Sequence, residues 1–365
     1  MGDIIKQVAM KIVFIIGSVS DSHIIKRAVS FKENGYDVEV HGFHRGVNTV
    51  NNFGGLPLHL MGEMKDQNYL SRIKTEWRVV RKVVNSYPKN TLFYVWGFDL
   101  ALICRIKGCR CIYEISDMVH SKFPSPLRQI FKMIDKWMIK KSIFTLTTSE
   151  GFIEYLGLEG YSKLVLMPNK LSDVFLERNR PDLCSLNDKV RFGFVGYYRY
   201  PNTVLRLARV IGEKYPKMEF HFWGTGPEKV LSNVKAMATK LDNVFEHGPF
   251  KNPDDLQKVY SSFDIVACNY DAQGANERIA EPNKLYESIF FNKPILVSEN
   301  TFLGKKVRRM GVGYVAETSS DDYIIAFLDG LTRDDVISKS KKESLIPASE
   351  LVEDYTEVWN RLNNV

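Results

Sequence analysis

The sequence predicts an α/β protein with two doubly wound, Rossmann-like domains. Its 365 residues exceed what one average hydrophobic core accommodates. Short β-branched segments alternate with helical segments along the chain, which is typical of parallel sheets covered by helices. A strand that ends at glycine and leads into a helix occurs near the start of the chain and again after residue 190. We therefore expect two parallel sheets that face each other across a cleft.

The first domain begins with a strand, a tight turn and a helix. The apolar run at 10–16 stops at Gly17 and Ser18, and residues 21–34 then show helical spacing. A second strand at 36–43 completes a βαβ unit. We predict that Gly17 and Ser18 form a site loop of this domain. Further strands are predicted at 92–95, 111–115, 143–147 and 164–167.

The domain boundary is predicted from a change of composition. Residues 172–188 lose their periodicity and contain Arg178, Asn179, Arg180 and Pro181, which is typical of a linker. We therefore assign 1–185, with a leader at 1–9, to the first domain and 186–345 to the second. A last amphipathic helix within 346–365, from Pro347 to Leu362, is expected to pack back on the first domain. Strands of the second domain are predicted at 190–195, 219–223, 244–246, 265–268, 294–297 and 313–315.

Composition excludes several classes of protein. No apolar run approaches the roughly 18 residues of a membrane span, and the leader has neither the apolar stretch nor the cleavage site of a signal peptide. A cytoplasmic protein is expected. The five cysteines lack the paired spacing of a zinc site, so reduced packing residues are favoured over a metal site.

The net charge of +7 is concentrated in the first half of the chain. Residues 1–185 hold 26 Lys and Arg against 18 Asp and Glu, a difference of +8, whereas the remainder holds 24 against 25. Such a basic domain attracts anions, for example nucleic acid, a membrane surface or a phosphorylated substrate. A merely solvated basic face is the alternative.

The segment EPNKLYESIFF, residues 281–291, predicts an amphipathic helix that begins at Pro282. Its first-turn amides and Lys284 would attract a phosphate, so Glu281, Pro282, Asn283 and Lys284 are candidate binding residues. Glu287 projects on the same side as Lys284, where its carboxylate could accept hydrogen bonds from ribose hydroxyls. The alternative is an exposed Lys/Glu pair three residues apart.

Three further residue groups lie where open α/β sheets bind ligands, at the carboxyl ends of strands. Gly196 ends the first strand of the second domain and is followed three residues later by Arg199, while Gly224 and Gly226 follow the second strand. Arg199 could equally be a solvated loop arginine. Together the groups predict one binding edge.

These segments resemble the GT-B glycosyltransferases, and among them the retaining glycosyltransferase family 4, in particular its bacterial polysaccharide group. The resemblance covers nearly the whole chain and depends on the order of its motifs. These motifs are Asn34–Val40, Leu166–Asn169, Phe194–Gly196, Trp223–Pro227, Lys284–Glu287 and Lys293–Leu296.

The resemblance implies a retaining transferase that moves a sugar from a nucleotide-sugar donor, UDP- or GDP-linked, to a glycan acceptor. Glu287 matches the second glutamate of the family's Glu-x7-Glu motif, which holds the donor ribose. Ile279 occupies the position of the first, so Glu281 or Glu277 is expected to replace it. Phosphate neutralisation is then assigned to Lys284 and Arg199.

The same resemblance implies acceptor-side residues in the first domain. The segment from Glu114 to His120 ends a strand and is similar to the region where the family contacts the donor sugar or the acceptor. Asp117 and His120 are therefore candidates for a catalytic or acceptor-side role. A helix cap at Asp117 and a plain loop residue at His120 are the alternatives.

The chain contains no Asp-x-Asp pattern, so a mechanism without metal or cofactor is expected. The stretch 121–141 combines six Lys and Arg residues with apolar residues at helical spacing. It is either an ordinary amphipathic helix or a surface that docks on an anionic membrane carrying a lipid-linked acceptor, at its inner face. Two alternatives to a glycosyltransferase are a sugar-nucleotide epimerase or phosphorylase with this fold and a basic nucleic-acid-binding protein. The chain has no recognisable nucleic-acid-reading element, so no specific nucleic-acid partner is expected.

Overall fold

The computed structural model describes residues 10–44, 53–64, 69–183, 189–198 and 201–365. The chain divides into two compact units. The first comprises Met1–Met167 together with Asp354–Val365, and the second comprises Pro168–Glu353. Arg199 and Cys184, together with the predicted leader 1–9, lie outside the described residues.

The first unit is built on a parallel sheet of seven strands within its described part. The strands are β1 (Lys11–Ile16), β2 (Asp37–His44), β3 (Leu58–Glu63), β4 (Leu92–Trp96), β5 (Arg110–Ile115), β6 (Thr145–Thr147) and β7 (Leu164–Leu166). Its helices before the crossover are α1 (Ser22–Glu33), α2 (Tyr69–Asn85), α3 (Phe98–Ile106), α4 (Leu127–Lys141) and α5 (Glu150–Leu156), with a 3₁₀ turn at Val119–Lys122. The spatial order β3-β2-β1-β4-β5-β6-β7 is doubly wound, as predicted.

The second unit repeats this plan with six strands in its described part. They are β8 (Val190–Tyr197), β9 (Met218–Thr225), β10 (Val244–Glu246), β11 (Ile265–Cys268), β12 (Ile295–Ser298) and β13 (Gly313–Ala316), in the order β10-β9-β8-β11-β12-β13. The order reverses between β8 and β11, which is where such sheets bind ligands. A 3₁₀ turn at Asp173–Leu176 precedes the sheet. The helices are α6 (Pro201–Lys214), α7 (Glu228–Lys240), α8 (Leu256–Ser261), α9 (Ala275–Ile279), α10 (Lys284–Phe290), α11 (Phe302–Met310), α12 (Asp321–Asp329), α13 (Arg333–Ser344) and α14 (Ala348–Leu351).

The central strands of each sheet are buried on both faces, which explains why these strands read as continuous apolar runs. In the second unit one buried cluster joins α8, α10 and α11 to the sheet, and a second joins α6, α7 and α12 to the opposite face. The four described cysteines are buried and free, as expected for packing residues. None of the helices in the described part of the chain is both long and apolar enough to span a membrane.

The predicted linker differs from the structure, because most of its described residues pack into the second unit. Phe175 is buried against the rings of Phe290 and Phe291. Arg180 donates hydrogen bonds to the carbonyls of Ile289 and Phe290, at 2.5 and 3.1 Å, and so caps the carboxyl end of α10. The division between the two units therefore falls after Met167, before the predicted linker. The predicted boundary at 185/186 is not the point of division, and it lies in a segment outside the described residues.

The predicted C-terminal helix from Pro347 to Leu362 is two helices, α14 and α15 (Thr356–Leu362). Between them Val352 forms a parallel bridge with Leu171, and the amide of Glu353 donates to the Leu171 carbonyl. This pairing removes backbone groups that a continuous helix would need. Beyond the break α15 joins the core of the first unit, so the expected return of the chain end to that domain is confirmed.

Candidate functional site

The second unit places a short, wholly buried helix after β11. Every residue of α10 is buried. The helix begins at Lys284, two residues after the predicted start, and its polar side is covered as well as its apolar side. Lys284 and Glu287 are therefore a buried ion pair and not the exposed pair that would contribute only a few tenths of a kcal/mol.

Glu287 accepts hydrogen bonds from three side chains. Its Oε2 atom lies 2.8 Å from Lys284 Nζ and 2.5 Å from the hydroxyl of Tyr260, and its Oε1 atom lies 2.6 Å from the amide nitrogen of Asn283. An ionised carboxylate offers about four acceptor positions. Three donors therefore hold Glu287 in one orientation and leave acceptor capacity at Oε1 for a ligand hydroxyl.

Tyr260 and Cys268 are neutral neighbours of this ion pair. Burial, together with the charge of Glu287, raises the pKa of Tyr260 well above its ordinary value. Burial also raises the pKa of Cys268 to about 12, although a hydrogen bond with Tyr270 and the charge of Lys284 oppose the shift. Tyr260 and Cys268 are therefore neutral at neutral pH.

Gly196 and Gly224 bring bare backbone to the same place. They are register partners at the ends of β8 and β9, with φ angles of 126° and 144°. A Cβ atom on Gly224 would lie 1.8 Å from the carbonyl oxygen of Gly196, and one on Gly196 would lie 3.6 Å from Lys284 Cε. Because no side chain intervenes, Lys284 lies directly beside the carboxyl end of β8, at the switch point of the sheet.

Gly226 and the first turn of α10 have more local roles. A Cβ atom on Gly226 would come within 2.7 Å of the Tyr198 Cβ atom, so this glycine permits close packing. The amide of Leu285 donates to the Pro282 carbonyl, and the next two amides of the helix donate to the Asn283 carbonyl. These three amides are engaged within the turn, so the positive group that the helix offers here is the Lys284 side chain.

The structure separates the two candidates for the missing first glutamate. Glu281 is buried, with Oε1 2.7 Å from Lys306 Nζ and in a hydrogen bond with the Tyr286 hydroxyl. Its Oε2 atom has no hydrogen-bond partner among the described residues. Glu277 is only partly buried, and its carboxylate lies against Gly274 at the start of its own helix. A buried acceptor without a donor is thus found at Glu281.

His120 belongs to a buried hydrogen-bond chain of the first unit. Its Nε2 atom lies 3.1 Å from Asp135 Oδ2, and the hydroxyl of Tyr113 donates to Asp135 Oδ1 at 2.9 Å. Its Nδ1 atom is buried without a hydrogen-bond partner among the described residues. His120 is therefore not a plain loop residue. Asp117 is exposed, three residues earlier, after the end of β5.

Gly17 and Ser18 lie at the end of β1, before the helix cap Asp21. The adjacent buried network was not predicted. Glu114 accepts from His23 Nε2 at 2.5 Å and from the Tyr94 hydroxyl, and the fully buried Arg27 lies 3.5 Å away. Burial opposes ionisation of Glu114, but these partners outweigh it and lower its pKa to about 2.

Tyr260, Lys306 and Asp135 are hydrogen-bond partners of candidate site residues that sequence reasoning missed. Each is brought to its partner from a different helix, more than ten residues away along the chain. Their pattern within their own helices shows only amphipathic spacing. The available signal was a tyrosine on the helix before β11 and a lysine on the helix after β12, since β11 and β12 are neighbouring strands.

The fold and the site together define a class of architecture. Two doubly wound parallel sheets with flanking helices, each in its own unit, are the GT-B fold, as predicted. No family model matches the sequence.

Among solved structures, the chain is similar to sucrose-phosphate synthase of Thermosynechococcus elongatus, with a TM-score of 0.71, 11% identity and coverage of 97% of this chain and 98% of that one. It is also similar to Anabaena HepE in complex with UDP-glucose, with a TM-score of 0.69, 13% identity and coverage of 98% and 100%. By sequence it is 18% identical over 342 residues to the succinoglycan biosynthesis protein ExoL of Rhizobium meliloti (strain 1021), covering 88% of this chain and 85% of that protein.

Proposed function

We propose that this chain is a retaining glycosyltransferase of the family 4 type that uses a UDP- or GDP-sugar as its donor. The observation that carries the proposal is the buried Lys284–Glu287 pair beside Gly196, at the switch point of the second sheet. Buried ion pairs stabilise a fold weakly, so a pair held there by Tyr260 and Asn283 is better explained by ligand binding.

In this proposal Glu287 accepts hydrogen bonds from the ribose hydroxyls. The ammonium group of Lys284 has three donors, and the one directed at Glu287 leaves others for the diphosphate. As the bond from the sugar to the diphosphate breaks, negative charge grows on the departing phosphate oxygen. A fixed cation at that position lowers the barrier, and Arg199 is assigned the same role.

The donor sugar is assigned to the residues around Glu281. Its unpartnered Oε2 atom is suited to accept from a sugar hydroxyl, whereas the carboxylate of Glu277 is folded against Gly274. Asp117, His120, Gly17 and Ser18 are assigned to the acceptor side.

Two comparisons support this direction. One solved complex of Anabaena HepE contains UDP and glucose, and another contains UDP-glucose. The name of the ExoL protein places it in the biosynthesis of a polysaccharide. We extend both to this chain as proposals: the donor is a nucleotide sugar, and the product is a growing glycan.

The acceptor is proposed to be lipid-linked, with the protein at the inner face of the membrane. The observation behind this is a stripe on α4 formed by four exposed apolar side chains, those of Leu127, Ile130, Met133 and Trp137. Lys140 and Lys141 are exposed at the end of the same helix. An apolar stripe bordered by basic residues is typical of helices that lie in an anionic membrane interface.

The transfer is proposed to need no metal ion, because Lys284 and Arg199 supply the positive charge. Full activity in EDTA would agree with this, and loss of activity restored by Mg²⁺ would contradict it.

The donor assignment is tested by calorimetric titration with UDP and GDP, followed by a transfer assay with nucleotide sugars. One of the two nucleotides should bind to wild type, and Lys284→Met should weaken it at least tenfold. Lys189→Met is the matched control, since Lys189 also pairs with a glutamate, Glu219, at 2.7 Å but is half-exposed. Equal losses in the two variants, or no binding of either nucleotide, would refute the proposal.

A further inference from the structure

A cluster in the first unit brings together two histidines and a glutamate outside the site described above. His41 on β2 and His59 on β3 are register partners, and Glu39 lies two residues before His41 on the same face of the sheet. One ligand atom from each of the three residues lies within 4.8 Å of the ligand atoms of the other two. Among the described residues this is the one group with such convergence.

The distances match the spacing of ligands around a single ion. Glu39 Oε1 lies 3.0 Å from His59 Nε2 and 3.5 Å from His41 Nε2. Ligands about 2.1 Å from a tetrahedral zinc ion are about 3.4 Å from each other. We propose that Glu39, His41 and His59 bind one divalent transition-metal ion, Zn²⁺, through these three atoms.

Neighbouring side chains prepare Glu39 for this role. Lys11 Nζ binds Glu39 Oε2 at 2.7 Å, which leaves Oε1 for the ion. The hydroxyl of Tyr87 lies 2.5 Å from the same Oε1 atom and 2.7 Å from His41 Nε2. Lys11 orients Glu39 as such partners do in metal sites, whereas Tyr87 occupies both ligand atoms and must turn away when the ion binds.

The two imidazole rings stack at 4.7 Å with an angle of 18°, so their lone pairs do not yet point at one position. His59 can turn to supply its lone pair, because its side chain is 52% exposed. His41 is held in place by burial and by Tyr87. Binding therefore requires His59 to turn and the Tyr87 hydroxyl to release Glu39 Oε1 and His41 Nε2.

A second group of two histidines and a glutamate gives a contrast within the same chain. His221 directs Nδ1 toward His247 at 2.9 Å and Nε2 toward Glu219 at 3.3 Å. The two nitrogens lie on opposite sides of one ring, so these partners cannot share an ion with His221. This group has the same composition but no converging ligands.

The ion would join the edge strand β3 to its neighbour β2. Most side chains of β3 are exposed, and the cluster lies at the amino-terminal end of β3 and in the middle of β2. The predicted effect of the metal is to stabilise the first unit, without a part in the transfer reaction.

The test is calorimetric titration of the tag-free, EDTA-treated full chain with Zn²⁺, and with Co²⁺ as a spectroscopic probe. Wild type should bind one Zn²⁺, give a visible Co²⁺ absorption band and melt roughly 5 °C higher in excess zinc. His59→Ala should weaken zinc binding at least tenfold and abolish the band, and its exposed position makes unfolding an inadequate explanation. His247→Ala should leave both unchanged. Equal zinc affinity in wild type and His59→Ala, or no zinc binding by wild type, would overturn the proposal.

Discussion

Glu281 and Glu287 each accept hydrogen bonds from one lysine and one tyrosine. The donors to Glu281 are Lys306 and Tyr286. The donors to Glu287 are Lys284 and Tyr260. The two buried carboxylates thus have the same partners by type. They differ in how many of their oxygen atoms accept a hydrogen bond. Asn283 also donates to Glu287, so both of its oxygens are engaged, whereas Oε2 of Glu281 has no hydrogen-bond partner among the described residues. The different roles proposed for the two carboxylates depend on this difference, and the first two predictions test them.

The Lys284–Glu287 pair should be dispensable for folding but required for nucleotide binding. Glu287→Leu alone leaves Lys284 buried without a counter-charge and should destabilise the protein by about 3 kcal/mol. The double variant Lys284→Met/Glu287→Leu should recover most of that loss, since apolar residues can replace a buried ion pair. Urea unfolding measures the stability, and calorimetry should find no nucleotide binding in the double variant. Retained binding would show that the pair is only structural.

Glu281→Gln should separate the sugar from the nucleotide. If Oε2 accepts from a sugar hydroxyl, the substitution should lower kcat at least tenfold while the affinity for the nucleoside diphosphate changes less than twofold. The measurements are steady-state kinetics and calorimetry with the free diphosphate. Glu277→Gln is the control and should change neither. An equal loss of diphosphate affinity in Glu281→Gln would instead place this residue against the phosphates.

Gly224→Ala should destabilise the second unit by about 3 kcal/mol or more, which is the size of effect seen for severe substitutions. Its Cβ atom would lie 1.8 Å from the Gly196 carbonyl oxygen, and its φ of 144° is strained for alanine. Gly62→Ala is the matched control, since its φ of 127° is similar but a Cβ atom there meets nothing within 4 Å. It should cost only about 1 kcal/mol of backbone strain. Thermal unfolding compares the two, and similar losses would refute the proposed clash.

The protein should lose stability in acid through Glu114. Its pKa is about 2 in the folded chain against an ordinary 4.5, so its contribution is present above pH 4.5 and disappears as the pH falls toward 2. At pH 3.5 this one group should have lost on the order of 1 kcal/mol of stabilisation. Urea unfolding at pH 6 and pH 3.5 measures the change, and Glu114→Gln should reduce the pH dependence by about that amount. An unchanged pH dependence would mean that the ion pairs of Glu114 also form in the unfolded chain.

Membrane docking through α4 should depend on its exposed apolar stripe. Met133→Glu/Trp137→Glu should lower sedimentation with anionic vesicles at least fivefold, because it removes apolar area and adds negative charge. Both side chains are exposed, at 64% and 41%, so the fold should be preserved. Leu345→Glu, at an 81% exposed site in the second unit, is the control. Equal sedimentation of wild type and the α4 variant would exclude this surface.

Much of the fold could be predicted because parallel strands buried on both faces leave continuous apolar runs. The predicted segments 244–246 and 265–268 coincide with β10 and β11. β3 was missed because it is an edge strand with largely exposed side chains, so its sequence lacks such a run. The last helix was overextended because an apolar stripe does not reveal that Val352 pairs with Leu171.

The site was predictable only where its residues are close in sequence. Lys284, Asn283 and Glu287 lie within one turn and were identified together, but their burial was not, since helical spacing shows two faces and the fold covers both. Tyr260 and Lys306 reach the site through tertiary packing between helices. The motif resemblance left Glu277 and Glu281 equivalent, and a structural criterion was needed to tell them apart.

The return of residues 354–365 to the first unit has a consequence for synthesis of the chain. Trp359 contacts the ring of Phe31 at 4.9 Å, and Val358 and Leu362 complete the same core. The ribosome therefore makes the second segment of the first unit only after all of Pro168–Glu353 has been made. The unit whose synthesis begins first can therefore finish folding only once residues 354–365 have emerged, and until then its aromatic core is open to chaperones and proteases.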